Sequence, residues 1–95
     1  MSRGEVVRAH IWVSGRVQGV AYRAFAHDAA TRSGLSGGVR NLDDGRVEVD
    51  VEGERAAVER FIQQLKSGPR LARVDGLELK WDTPIGQQDG FHIWR

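Results

Sequence analysis

Apolar and polar positions in this chain follow two rhythms, one of period two and one of helical period. Val7, Ala9, Ile11 and Val13 alternate with Arg8, His10, Trp12 and Ser14, which predicts a strand with one apolar face. Tyr22, Phe25, Ala26, Ala29 and Ala30 then recur at helical spacing and predict one buried helix face. Gly34 followed by Leu35 fits a glycine C-terminal cap with its hydrophobic contact. Val39 to Leu42 predicts a short strand, and Asp43-Asp44-Gly45 a hairpin turn. Val47, Val49 and Val51, alternating with Arg46, Glu48, Asp50 and Glu52, predict a half-buried strand that Gly53 ends. Val58, Phe61, Ile62 and Leu65 form the stripe of a second helix, closed by Gly68 and Pro69. Leu77, Leu79 and Trp81 alternate with Glu78, Lys80 and Asp82 in a further strand. A turn-rich stretch from Thr83 to Gly90 leads to a last short strand at Phe91 and Ile93.

The order strand, helix, strand, strand, helix, strand, with a small strand appended, predicts an α+β fold. Its compact form is the ferredoxin-like split βαβ sandwich, an antiparallel sheet with two helices on one face. Residues 1–95 are expected to form a single domain, since a chain this long buries about two-thirds of its unfolded surface around one core. Such a plan hosts many unrelated activities. Trp81 falls on the apolar face of its strand and reads as core. Trp12 and Trp94 fall on the opposite parity and are expected together on the open sheet face.

Composition narrows the function. Hydrophobic residues at 40% and charged residues at 28% are ordinary for a globular chain. A net charge of +1 supplies no general field for nucleic acid or a membrane, so any anion site must be local. The absence of cysteine excludes disulfides, thiolate catalysis and cysteine-based zinc sites. His10, His27 and His92 share no metal-ligand spacing, so no metal is expected. No apolar run reaches the length of a membrane span, and Met1-Ser2-Arg3-Gly4-Glu5 lacks an apolar signal region. The expectation is a cytoplasmic protein with no membrane partner.

Charge is oddly placed between Gly15 and Arg23. A helix N-terminus carries partial positive charge and free N–H groups, and it favours acidic neighbours. This stretch has no Asp, Glu, Ser, Thr or Asn, and it contains Arg16 and Arg23. Glycines that admit close backbone approach, loop amides and guanidinium groups together describe a phosphate cradle. The same residues would also serve as a plain strand-to-helix turn with solvated arginines. Asn41, at the end of an apolar strand, carries a carboxamide able to orient a water, although an asparagine there also initiates turns. Asp43 and Asp44 read as solvated turn formers.

Two stretches bear a family likeness. Val13-Ser14-Gly15-Arg16-Val17-Gln18-Gly19-Val20-Ala21-Tyr22-Arg23 resembles the first acylphosphatase pattern, with Tyr22 where Phe or Met is usual. Gly37-Gly38-Val39-Arg40-Asn41-Leu42-Asp43-Asp44-Gly45-Arg46-Val47, with Gly53 beyond, resembles the second, with Gly38 in place of a bulky aromatic. The likeness runs from about Val6 to Arg95. It implies a split βαβ fold and hydrolysis of acyl phosphates to carboxylate and inorganic phosphate. It implies that Arg23 binds the phosphate, with a cradle from Arg16, Val17, Gln18, Gly19 and Val20, and that Asn41 orients the attacking water. No cofactor, metal or covalent phosphoenzyme is implied, and a monomer is expected.

Two other readings compete. The same cradle could hold an anionic metabolite, or an acyl or carbamoyl phosphate, without hydrolysing it. An RNA-binding sheet built on Trp12 and Trp94 ranks below both, because RNP-type aromatic motifs are missing and the net charge is near zero.

Overall fold

A computed structural model of the chain describes residues 4–94. The first alternating run becomes β1 (Val6–Arg16), which lies inside the sheet and buries Val7, Ala9, Ile11 and Val13 under the helices. After it come α1 (Tyr22–Arg32), β2 (Ser36–Asn41), β3 (Val47–Glu54), α2 (Arg55–Ser67), β4 (Arg73–Asp82) and β5 (Phe91–Ile93). The strands lie in the order β4-β1-β3-β2-β5. β1 outruns the alternating pattern because the ladder with β4 shifts register between Ser14 and Gly15. Gly15 takes φ 123° there, and a Cβ on it would stand 2.2 Å from the Arg73 carbonyl oxygen, so only glycine fits.

The four strands of the split βαβ plan form the expected antiparallel sheet, and the appended strand adds to it in parallel. β1, β2, β3 and β4 pair antiparallel, whereas β5 pairs with β2 in parallel, so the sheet is mixed. The cause is topological. β4 and β5 occupy opposite edges, and a chain that returns after β4 runs in the direction that β2 already has.

One cluster of buried side chains joins the sheet to both helices. α1 ends as its sequence suggests, with Gly34 at φ 69°, the Leu35 amide donating to the Ala30 carbonyl at 3.0 Å, and the Leu35 side chain buried. Tyr22 is buried at the start of α1, and its hydroxyl donates to the Leu65 carbonyl at 2.6 Å. That carbonyl lies in the last turn of α2, where helix geometry leaves it without an intrahelical partner. The Tyr22 hydroxyl, unusual for this motif, therefore ties one helix to the other.

The tryptophans depart from expectation. Trp81 is 42% exposed rather than core. It sits on an edge strand that α2 covers incompletely, with the Arg55 guanidinium 5.1 Å from its ring centroid. Trp12 and Trp94 are on the open face but apart. Trp12 stacks on His10 with ring centroids 4.1 Å apart, and Trp94 lies over Gly38. A Cβ on Gly38 would stand 2.2 Å from the Trp94 ring, so the indole fills the space a larger residue would take. Among the described residues no helix is long and apolar enough to cross a membrane.

Candidate active site

The strand-to-helix loop turns through two left-handed residues, Gly19 at φ 75° and Ala21 at φ 62°. Ala21 is also the N-cap of α1. It offers no side-chain hydrogen bond, and the first turn holds no acidic residue. A left-handed alanine costs roughly 1–2 kcal/mol, and here it directs the start of α1 into a cleft. Phe25 is the first helical residue whose amide finds a backbone acceptor, the Ala21 carbonyl at 3.0 Å. Among the described residues, the amides from Gln18 to Ala24 donate to no protein oxygen. They leave a set of unpaired donors at the positive end of a helix, an arrangement that suits an anion.

The cleft, about 240 Å³, is lined by Val17, Gly19, Ala21, Arg23, Asn41 and Ile93, among others. Arg23 stands half-buried in the first turn of α1 and forms no ion pair among the described residues. Asn41 ends β2, and its Oδ1 is buried with no hydrogen-bond partner among the described residues. An orphaned buried acceptor costs about 1–3 kcal/mol, which argues for a donor from outside the fold. The position 41 turn does form, with the Leu42 amide donating to the Arg46 carbonyl at 2.8 Å, but it makes no use of the Asn41 carboxamide oxygen.

The other expected cradle residues divide by role. Val17 and Gly19 line the cleft with Arg23 and Asn41. Val20 does not line it; its buried side chain, like that of Val17, anchors the loop to the core. Arg16 is exposed at the end of β1, opposite Arg73, and its side chain lies outside the cleft lining. Gln18 turns away. Its side-chain amide donates to the Leu42 carbonyl at 2.8 Å and the Arg46 carbonyl at 2.9 Å, which clamps the loop to the hairpin beyond Asn41. Alternation and spacing give no sign of that clamp, because its partners lie in another element. Ile93 at the cleft was likewise invisible until β5 was placed.

Other features offer less chemistry. A larger open groove, about 610 Å³, runs between α2 and β4 beside Trp81, and no orphaned buried polar atom faces it. Among the described residues no three His, Asp or Glu side chains cluster as metal ligands. His10 pairs with Glu48 at 2.7 Å, His92 meets the Asp89 carbonyl at 2.9 Å, and His27 lies beside Phe91.

Residues 9–93 match the acylphosphatase family, a span that contains both the loop and Asn41. The chain belongs to the acylphosphatase family. The acylphosphatase of Anaeromyxobacter dehalogenans is 56% identical over 92% of this chain and 94% of its own length. That of Roseiflexus sp. is 49% identical over 94% of this chain and 96% of its own. The crystal structure of the acylphosphatase from Bacillus subtilis matches with a TM-score of 0.90 and 34% identity, covering 94% of this chain and 99% of that one. The acylphosphatase likeness thus extends to the loop, both helices and the small fifth strand.

Proposed function

We propose that this chain hydrolyses the carboxyl–phosphate bond of small acyl phosphates, giving a carboxylate and inorganic phosphate. The observation that carries this reading is one cleft lined by an unpaired Arg23, by residues with free helix-terminal amides and by Asn41, whose buried Oδ1 has no partner among the described residues.

The phosphoryl oxygens sit against the free amides from Gln18 through the first turn of α1, with the Arg23 guanidinium as their cation. Fixed donors of this kind hold charge that grows on the phosphoryl oxygens without reorganising, and they act most strongly where water is excluded. Asn41 Oδ1 accepts a hydrogen bond from the attacking water, which aims the water's lone pair at phosphorus, opposite the leaving oxygen. A bond forms between the water oxygen and phosphorus, and the bond between phosphorus and the acyl oxygen breaks. The electron pair leaves on the carboxylate, and the water's proton passes to phosphate or solvent. A carboxylate is a stable leaving group, so the site needs no strong general acid, and phosphoryl transfer rests mainly on positioning and charge. Non-hydrolytic binding alone would leave a buried water acceptor without purpose.

The test follows the loss of ultraviolet absorbance as benzoyl phosphate is hydrolysed with EDTA present. The wild type is expected to turn over, and a folded Arg23→Ala variant to lose at least about 100-fold in kcat/KM. Undiminished turnover by the folded variant would remove Arg23 from the mechanism.

A further inference from the structure

One side chain at the cleft has no part in holding phosphate. Ile93 ends β5 and lines the cleft with Arg23 and Asn41, yet it is 46% exposed. β5 runs parallel to β2 with Ile93 opposite Val39, and Asn41 lies two residues further along β2. Ile93 and Asn41 therefore share the helix-side face on adjacent strands. The cleft of about 240 Å³ has room for a phosphoryl group and for the first atoms of whatever is bonded to it. It joins a cation and free amides to an exposed branched apolar side chain, which suits a ligand with one anionic and one apolar end.

The position of Ile93 is built rather than incidental. Phe91 is buried against Phe61, with ring centroids 5.9 Å apart. The Gly37 amide donates to the Gly90 carbonyl at 3.1 Å before β5, and the Trp94 amide to the Val39 carbonyl at 2.7 Å after it. The preceding loop is pinned as well: the buried Glu52 carboxylate accepts the amides of Ile85, Gly86 and Gln87. A short edge strand tied at both ends presents Ile93 as a fixed surface.

We propose that Ile93 is the wall against which the acyl group of the substrate packs, so that the enzyme favours acyl phosphates with a bulky apolar group next to the carbonyl. This rests on the hydrolase reading above. The test compares benzoyl phosphate with acetyl phosphate in the wild type and in Ile93→Ala, with inhibition by inorganic phosphate measured beside them. In Ile93→Ala, kcat/KM for benzoyl phosphate is expected to fall about tenfold, mostly through KM. The loss with acetyl phosphate is expected to be much smaller, and phosphate inhibition to hold. An unchanged ratio between the two substrates overturns the subsite. Equal loss on both substrates together with weakened phosphate inhibition overturns it too, and makes Ile93 a support of the cradle. A folded wild type that hydrolyses neither substrate while binding phosphate overturns the hydrolase reading itself, and the subsite with it.

Discussion

Asn41 and Tyr22 each bury a polar atom, and only one of the two atoms finds a partner in the fold. The buried Oδ1 of Asn41 has no partner among the described residues, so the fold gains nothing from it. Asn41→Ala is expected to cut kcat about 100-fold through lost water positioning, while phosphate inhibition changes little. Initial rates and phosphate inhibition measured together check this, and equal losses would mark Asn41 as structural. Stability should hold or rise by up to about 1 kcal/mol, since an unsatisfied buried acceptor is removed. Tyr22 is the opposite case. Burial pushes its phenol above the ordinary value of 10.0, so it stays a neutral donor to the Leu65 carbonyl. Tyr22→Phe keeps the ring and orphans that carbonyl, at an expected cost of about 1–2 kcal/mol in urea unfolding. Both residues are conspicuous in the sequence, but their partners are not. Whether a hydroxyl or a carboxamide finds an acceptor depends on α2 and on the cleft, not on its neighbours in the chain.

At the scale of elements, the strands and helices follow periodicity closely, and the departures occur where elements meet. Glu52 lies on the polar parity of β3 and reads as solvent-facing, yet it is 4% exposed. The loop between β4 and β5 folds over it, and three of that loop's amides donate to its carboxylate at 2.8, 2.8 and 3.1 Å. Glu52→Gln removes the charge and turns one acceptor into a donor that faces N–H groups. The expected cost is about 2–3 kcal/mol, with faster hydrogen exchange at Ile85, Gly86 and Gln87 and unchanged protection in α2. Loop amides that stay protected in the variant would show that the clamp does not hold the loop. Gln18 joins elements in the same way, since its side chain closes the strand-to-helix loop onto the hairpin after β2.

Across the whole molecule, the helix-free face of the sheet is a lattice of opposite charges. Arg8 on β1 reaches Asp50 on β3 at 2.6 Å and Asp82 on β4 at 3.6 Å. Glu48 on β3 joins His10 on β1 to Arg40 on β2. Burial pushes the Glu48 carboxyl up, but hydrogen bonds from Arg40 and His10 outweigh it and hold the group below its ordinary 4.5. A carboxyl with a lowered folded-state value stabilises the protein above its unfolded-state value, and that contribution is lost as pH falls through the folded-state value. Urea midpoints are therefore expected to drop on acidification below about pH 4. Glu48→Gln should flatten that part of the profile. An identical acid limb in wild type and variant would place the loss elsewhere.

Seven elements, the uncapped cationic start of α1, and Arg23 and Asn41 as candidate groups are all legible in local pattern. Periodicity, glycine placement and cap chemistry act over three or four residues, so they are legible along the chain. The parallel pairing of β5 with β2, the exposure of Trp81, the separation of Trp12 from Trp94, and the turning of the Arg16 and Gln18 side chains away from the cleft arise only in the assembled fold. Those outcomes depend on which strand becomes an edge and on which distant backbone atoms come within hydrogen-bond reach. Gln18 meets partners 24 and 28 residues away, and Glu52 meets partners 33 to 35 residues away, separations at which no local pattern survives.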